Sequence, residues 1–87
     1  MKNMTLERIT EVCGGVYYGS VADRKKEITG AVIDSRQVEP GYLFIAVRGE
    51  KVDGHQFIPQ VFEKGALAVL SEQELSDPAG PYIRVES

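Results

Sequence analysis

Hydrophobic residues near the N-terminus recur with the spacing of a helix. Leu6, Ile9 and Cys13 lie three and four residues apart, behind a threonine that can cap the first turn. Two glycines, beginning with Gly14, then end the pattern. We therefore predict a helix that ends at Cys13. Because this is the chain's only cysteine, it cannot form an internal disulfide, and we expect a reduced thiol on the buried face.

Short apolar runs further along the chain, each bounded by glycine, proline or polar residues, predict strands. They span residues 16–18, 28–33, 42–47, 66–70 and 82–85. The run 42–47 is apolar throughout, which is typical of a strand covered on both faces, so we expect it at the centre of a sheet between two layers. Residues 22–27 are predicted to be a polar connector, in which Arg24, Lys25 and Lys26 form a solvated turn.

Helical spacing returns between the runs 42–47 and 66–70. The apolar positions fall at i, i+3, i+4 and i+7, on Ile58, Val61, Phe62 and Gly65. This predicts a second helix that begins near Gln56 and holds Pro59 in its first turn. The order strand, helix, strand indicates a right-handed crossover between parallel strands. The predicted fold class is therefore α/β, with a small, mixed, partly parallel sheet and flanking helices.

Length and composition limit the classes of function. The 87 residues suffice for a single domain over residues 1–87, and a content of 43% hydrophobic and 26% charged residues is ordinary for a globular protein. A net charge of -3 favours neither nucleic acid nor an anionic membrane as partner. The apolar runs are too short to cross a bilayer, and the charged N-terminus does not resemble a signal peptide, so we expect a cytoplasmic protein.

Several kinds of catalytic site lack their residues in this sequence. One histidine and one cysteine make a transition-metal site improbable, and we predict none. The sequence contains neither the Gly-x-Ser-x-Gly elbow of hydrolases nor the glycine-rich loops that hold nucleoside triphosphates or dinucleotides. We therefore name no catalytic residue in the chain.

Two polar loops, Asp34–Arg36 and Arg48–Gly54, follow strands of the predicted sheet. The carboxyl ends of parallel strands meet at one edge, where α/β folds usually hold ligands. Ser35 could donate its hydroxyl to a phosphate, and Arg36 and Lys51 could balance the charge. Backbone N–H groups around the glycines at positions 49 and 54 could approach the same anion. The pattern therefore predicts an anion-binding site.

The same residues also have simpler structural interpretations. Asp34 and Ser35 can close a turn, and a glycine can serve only to supply a positive φ. Asp53 or His55 can cap the free N–H groups of the following helix. A catalytic role for His55 is the less favoured interpretation.

As a linked set over more than forty residues, the segment Ile28–Leu70 resembles the N-terminal domain of the Mur ligases. These ATP-dependent enzymes extend the peptide stem of the bacterial cell-wall precursor. The resemblance rests on Asp34-Ser35-Arg36, Pro40-Gly41, Leu43-Phe44, Ala46, Gly49, Asp53-Gly54-His55, Phe57 and Gly65-Ala66.

The resemblance implies that this domain binds the UDP-linked muramoyl peptide and belongs to a longer ligase. ATP and Mg²⁺ would then be handled by a central and a C-terminal domain, and the fragment alone would be inactive. Its partners would be the UDP-N-acetylmuramoyl peptide and the central domain. The implied contacts with the UDP part are Ser35, Arg36, Gly49, Glu50, Lys51, Asp53 and His55.

Within the family, the N-terminal residues of this chain are more like those of the ligase that adds D-alanyl-D-alanine to the tripeptide. The ligase that adds the third stem residue is the alternative. A second alternative, of another class, is a small protein-interaction module that uses the same fold without a nucleotide, through a sheet edge and exposed tyrosines.

Overall fold

A computed structural model describes residues 4–86 of the chain as helices packed on a five-stranded sheet. The α-helices are α1 (Leu6–Cys13), α2 (Val21–Arg24) and α3 (Ile58–Glu63), and 3₁₀ turns span Ser35–Gln37 and Gly54–Phe57. The strands are β1 (Val16–Tyr18), β2 (Gly30–Val32), β3 (Tyr42–Ile45), β4 (Ala68–Ser71) and β5 (Tyr82–Arg84). No helix in this part of the chain is long and apolar enough to cross a membrane.

The sheet is mixed and mostly parallel. Its order is β1-β5-β4-β3-β2, in which β2 to β5 pair in parallel and β1 runs antiparallel to β5. The predicted fold class is confirmed. The prediction that the run 42–47 forms the centre of the sheet is wrong, because β5 and β1 both extend the sheet beyond β4 and leave β4 in the middle.

Both faces of the sheet are covered, as the apolar run of β3 predicts. Successive residues of a strand point to opposite faces, so Leu43 and Phe44 enter different cores. Leu43 packs with α1 residues such as Leu6, whereas Phe44 packs with α3 residues such as Val61. The continuous apolar run of β3 therefore reflects burial on two faces and not a central place in the sheet.

Helix α1 confirms the predicted cap but not the predicted thiol. The Thr5 side chain accepts a hydrogen bond from the Arg8 N–H group, and Gly14 ends the helix with a φ of 66°. Cys13, however, is exposed. Gly15 follows it and packs so closely on β5 that an added Cβ would lie 2.8 Å from the Arg84 carbonyl oxygen. Cys13 is the last residue of α1, and the buried residues of this helix are Leu6 and Ile9, so the prediction of a buried thiol is wrong.

Two other predicted segments differ in detail. The one-turn helix α2 begins just before the predicted connector 22–27 and overlaps its first part, because the Ser20 hydroxyl caps the Asp23 N–H group. The second helix begins as a 3₁₀ turn at Gly54, and its α-helical part begins at Ile58 with Pro59 in the first turn. Proline is tolerated there because the first N–H groups of a helix have no partner within it.

Candidate functional site

The two polar loops meet at the carboxyl edge of the sheet, as the sequence predicts. Because β2 and β3 are parallel, the chain leaves both strands at the same edge. A cavity of about 540 Å³ lies between the two loops and α3. It is lined by Ile33, Asp34, Ser35, Arg36, Val47, Gly49, Val52, Gly54, Phe57, Gln60 and Lys64. Of the predicted contacts, Ser35, Arg36 and Gly49 lie on its wall.

Asp34 and Arg36 form a closed pair at the end of β2. Asp34 Oδ1 accepts hydrogen bonds from the Arg36 N–H group and from its Nε, and Asp34 Oδ2 accepts one from the guanidinium at 2.9 Å. These hydrogen bonds lower the pKa of Asp34 to about 2. Most of the guanidinium charge is thus already balanced, although the Arg36 side chain remains 86% exposed and retains donors for a ligand.

Ser35 offers the cavity a hydroxyl group with no hydrogen-bond partner in the part of the chain that the structure describes. Its carbonyl oxygen accepts a hydrogen bond of 2.8 Å from Lys64 Nζ, at the end of α3. This contact brings an ammonium group to the cavity wall. Sequence reasoning missed Lys64, because it lies 29 residues from Ser35 and no local pattern connects the two.

The loop after β3 folds back as a tight hairpin. Gly49 N–H donates to the Val52 carbonyl at 2.9 Å, and Gly54 N–H donates to the Val47 carbonyl at 2.8 Å. These two N–H groups are therefore engaged within the loop. The approach of backbone N–H groups around these glycines to an anion stays a prediction. Neither glycine has a positive φ. A Cβ at Gly54 would lie 2.9 Å from the Val47 carbonyl oxygen, so the close approach of the backbone across the hairpin requires glycine there. A Cβ at Gly49 would make a tight contact of 3.0 Å with the Val52 carbonyl oxygen.

The other predicted contacts lie around this hairpin and not on the cavity wall. Glu50 and Lys51 are exposed at its tip. Asp53 caps the 3₁₀ turn by accepting from the His55 N–H group at 3.0 Å, as the structural interpretation predicts. The His55 side chain is only 7% exposed and lines a separate cavity beside the segment 75–79. Their role as ligand contacts stays a prediction.

The cavity wall also carries apolar side chains that sequence reasoning did not select. Ile33, Val47 and Val52 are 63%, 43% and 48% exposed. Each of these three residues is next to a polar loop residue in the sequence, and this position could have indicated that it lies at the site. Hydrophobic periodicity instead assigns apolar residues to the core. Together with Ser35, Arg36 and Lys64, they combine an apolar surface for a flat ring with donors for an anion.

A second cavity, of about 550 Å³, lies at the opposite edge, before β3, β4 and β5. Its one lysine, Lys26, is engaged by Asp23 at 2.8 Å. Ligands of open α/β sheets bind at the carboxyl ends of the strands. We therefore take the cavity between the two polar loops as the candidate site.

The Asp34–Arg36 pair predicts a measurable change in acid. Because Asp34 has a pKa of about 2 in the folded state and 3.8 ordinarily, its contribution to stability is present above about pH 4. That contribution is lost as the pH falls through 2. In Arg36→Gln, the Asp34 pKa should rise toward 3.8 but stay below it, because the backbone N–H bond remains. A carboxyl-detected NMR titration measures this, and an unchanged pKa in the variant would contradict the pairing.

Most of the chain is similar in sequence to known proteins. A model described as "Mur ligase family, catalytic domain" matches residues 27–85. A UDP-N-acetylmuramoyl-L-alanyl-D-glutamate–2,6-diaminopimelate ligase of Bacteroides thetaiotaomicron is 48% identical over 66 residues, covering 74% of this chain and 14% of the relative. The enzyme of the same name from Bacteroides fragilis is 60% identical over 47 residues, covering 54% of this chain and 10% of the relative. The chain thus spans a small part of these relatives.

Solved structures show the same fold. MurF from Acinetobacter baumannii matches 94% of this chain and 18% of its own, with a TM-score of 0.80 and 27% identity. MurF ligase from Thermotoga maritima, solved with ADP, matches 66% of this chain and 13% of its own, with a TM-score of 0.59 and 35% identity. The curated proteins and the solved structures thus represent two different ligases with a similar domain.

Proposed function

Because the chain belongs to the Mur ligase family, whose model covers residues 27–85, we propose that it binds the UDP part of a UDP-N-acetylmuramoyl peptide. The observation that carries the proposal is the cavity between the two polar loops. Ser35, Arg36 and Lys64 line this cavity, and their hydroxyl, guanidinium and ammonium groups are donors suited to a diphosphate. The exposed apolar side chains beside them offer a surface to the uracil ring.

We further propose that the chain is one domain of a longer, cytoplasmic, ATP-dependent ligase of peptidoglycan synthesis. This domain would fix the nucleotide end of a long substrate, so that the peptide end reaches the catalytic centre elsewhere. The residues 4–86 contain no group of three His, Cys, Asp or Glu side chains suited to hold a metal ion. From the family resemblance, we propose that ATP and Mg²⁺ bind to other domains of the parent and that the isolated chain has no ligase activity.

Two parent enzymes are supported by different observations. The ligase that adds D-alanyl-D-alanine is supported by the backbone likeness to MurF over 94% of the chain. The ligase that adds the third stem residue is supported by the identities of 48% and 60% with diaminopimelate ligases. Sequence identity distinguishes the two better than the backbone does, because both ligases use a similar domain. We therefore give the third-residue ligase more weight than the N-terminal residues alone suggest.

Activity of the full-length parent separates the two candidates. With ATP, the third-residue ligase consumes UDP-N-acetylmuramoyl-L-alanyl-D-glutamate and an amino acid such as diaminopimelate. The other consumes the tripeptide precursor and D-alanyl-D-alanine. Release of phosphate with one pair of substrates and not with the other identifies the parent.

The binding proposal predicts the outcome of an NMR titration of the labelled chain. UDP-N-acetylmuramoyl-L-alanyl-D-glutamate, and UDP more weakly, should shift the amide signals of Ser35, Arg36 and the segment 49–55, whereas ATP should not. Ser35→Ala should weaken binding about fivefold, because one hydrogen bond to the diphosphate is lost. Ser76→Ala, in an exposed loop outside the cavity, is the matched control and should bind as the wild type does.

Other outcomes would count against the proposal. No shift at saturating concentration of either UDP compound would remove its support and favour the protein-interaction module. Equal shifts with ATP at the same residues would indicate a general anion site and not a nucleotide-sugar site.

A further inference from the structure

His55 connects the hairpin after β3 to the chain that follows β4. Its Nδ1 lies 2.6 Å from Asp53 Oδ1, and its Nε2 accepts the Glu72 N–H group at 3.1 Å. The imidazole is nearly buried, with 7% of the side chain exposed. The imidazole is thus held in one position at the carboxyl edge of the sheet, but it does not line the candidate cavity.

These contacts determine the tautomer of the ring. A backbone N–H group can only donate, so Nε2 of His55 must be the acceptor and carry no proton. The proton of the neutral ring is then on Nδ1, which donates it to the Asp53 carboxylate. The same carboxylate accepts from the His55 N–H group, and both bonds lower the pKa of Asp53.

The residues joined by the imidazole belong to the base of the hairpin. Asp53 pairs with Arg48 across the hairpin, and Gly54 N–H closes its base on the Val47 carbonyl. Val47 and Val52 of this hairpin form part of the cavity wall. A hairpin with exposed residues at its tip has few contacts of its own, so its position depends on what holds its base.

We propose, on the premise of the nucleotide site above, that His55 is a positioning residue. As a neutral imidazole protonated on Nδ1, it holds the hairpin 47–54 against the end of β4 and thereby shapes the UDP site. A second proton on Nε2 would oppose the Glu72 N–H group with another donor and release the base of the hairpin. The Asp53 carboxylate contacts the ring at Nδ1, and Asp77 lines the same separate cavity as His55.

Two substitutions at His55 separate its hydrogen bond to Asp53 from its hydrogen bond to the Glu72 N–H group. In His55→Gln, the side-chain oxygen stands near the place of Nε2 and can still accept the Glu72 N–H group, without gaining charge in acid. In His55→Asn, the amide stands near the place of Nδ1 and can donate to Asp53 but does not reach Glu72. The two variants are both neutral and differ by one methylene group.

The expected results follow from this difference. At pH 8, UDP-N-acetylmuramoyl-L-alanyl-D-glutamate should bind His55→Gln within about twofold of the wild type and His55→Asn about tenfold more weakly.

Two further measurements test the link without a ligand. The nitrogen NMR signals of wild-type His55 should show a proton on Nδ1 and none on Nε2. Hydrogen exchange at the Glu72 and Gly54 N–H groups should be slow in the wild type and His55→Gln and faster in His55→Asn. A proton on Nε2 at pH 8, or equal exchange in all three proteins, would overturn the link.

The binding results distinguish failure of this inference from failure of the proposed function. If the wild type binds the UDP compound and both variants bind it equally well, His55 does not position the site. If the wild type does not bind it at pH 8, the proposed nucleotide site fails, and hydrogen exchange alone decides whether His55 holds the hairpin.

Discussion

Phe44→Ala should lower the free energy of unfolding by about 3–5 kcal/mol. Phe44 in β3 has 0% exposure and lies among the side chains that join the sheet to α3, including Ile58, Val61 and Val69. Removal of its ring reduces the apolar surface that is buried on folding. It also leaves a cavity that the parallel strands on either side cannot close. A domain of this size is stable by about 0.05–0.15 kcal/mol per residue, so the loss is a large share of the total.

Urea denaturation measures this loss as a lower midpoint with an unchanged slope. The matched control is Phe57→Ala, the same chemical change at a half-buried position on the margin of the same core. It should lose roughly half as much stability, because less of its ring is withdrawn from water. Equal losses at the two positions would mean that burial on this face of β3 does not govern stability.

The elements that were predicted correctly depend on local signals. A threonine before an apolar stripe predicts the start of α1, and Gly14 predicts its end. The order of strand, helix and strand predicts the parallel pairing of β3 with β4. In each case the residues that determine the structure lie within one helix or one crossover unit, so the sequence shows them together.

The features that were missed depend on contacts between distant parts of the chain. Cys13 is exposed although its helical spacing from Leu6 and Ile9 predicts burial, and Gly15 packs on β5, which lies at the other end of the sequence. The central place of β4 follows from the way in which β5 enters the sheet beside β1. Periodicity reports whether a residue prefers burial, but it does not report which strand lies next to it.

The candidate site shows the same division. The two loops at the carboxyl edge follow from the parallel order of the strands, and the sequence predicts their meeting. Lys64 contacts Ser35, which lies 29 residues away, and Glu72 contacts His55, which lies 17 residues away. No local pattern in the sequence indicates either contact. The backbone bonds inside the hairpin also escaped prediction, since a glycine in a polar loop suggests both a turn and a ligand contact.

Gly54→Ala should both destabilise the domain and weaken its proposed ligand binding. A Cβ at position 54 would lie 2.9 Å from the carbonyl oxygen and 3.1 Å from the nitrogen of Val47. Both are backbone atoms at the base of the hairpin, so the chain itself must move. We expect a loss of about 1–3 kcal/mol in the free energy of unfolding, the usual cost of overpacking. The displaced hairpin carries part of the cavity wall, so affinity for the UDP-N-acetylmuramoyl peptide should fall about tenfold.

Gly14→Ala is the matched control for this substitution. An added Cβ at Gly14 meets nothing within 4 Å, but its φ of 66° is unfavourable for alanine, at a cost of about 1–2 kcal/mol. Both variants should therefore lose stability, and Gly14→Ala should keep the wild-type affinity because it lies outside the cavity. Urea denaturation and the NMR titration together measure the two effects. Wild-type stability and affinity in Gly54→Ala would show that the hairpin tolerates the added methyl group and that its close backbone approach does not shape the site.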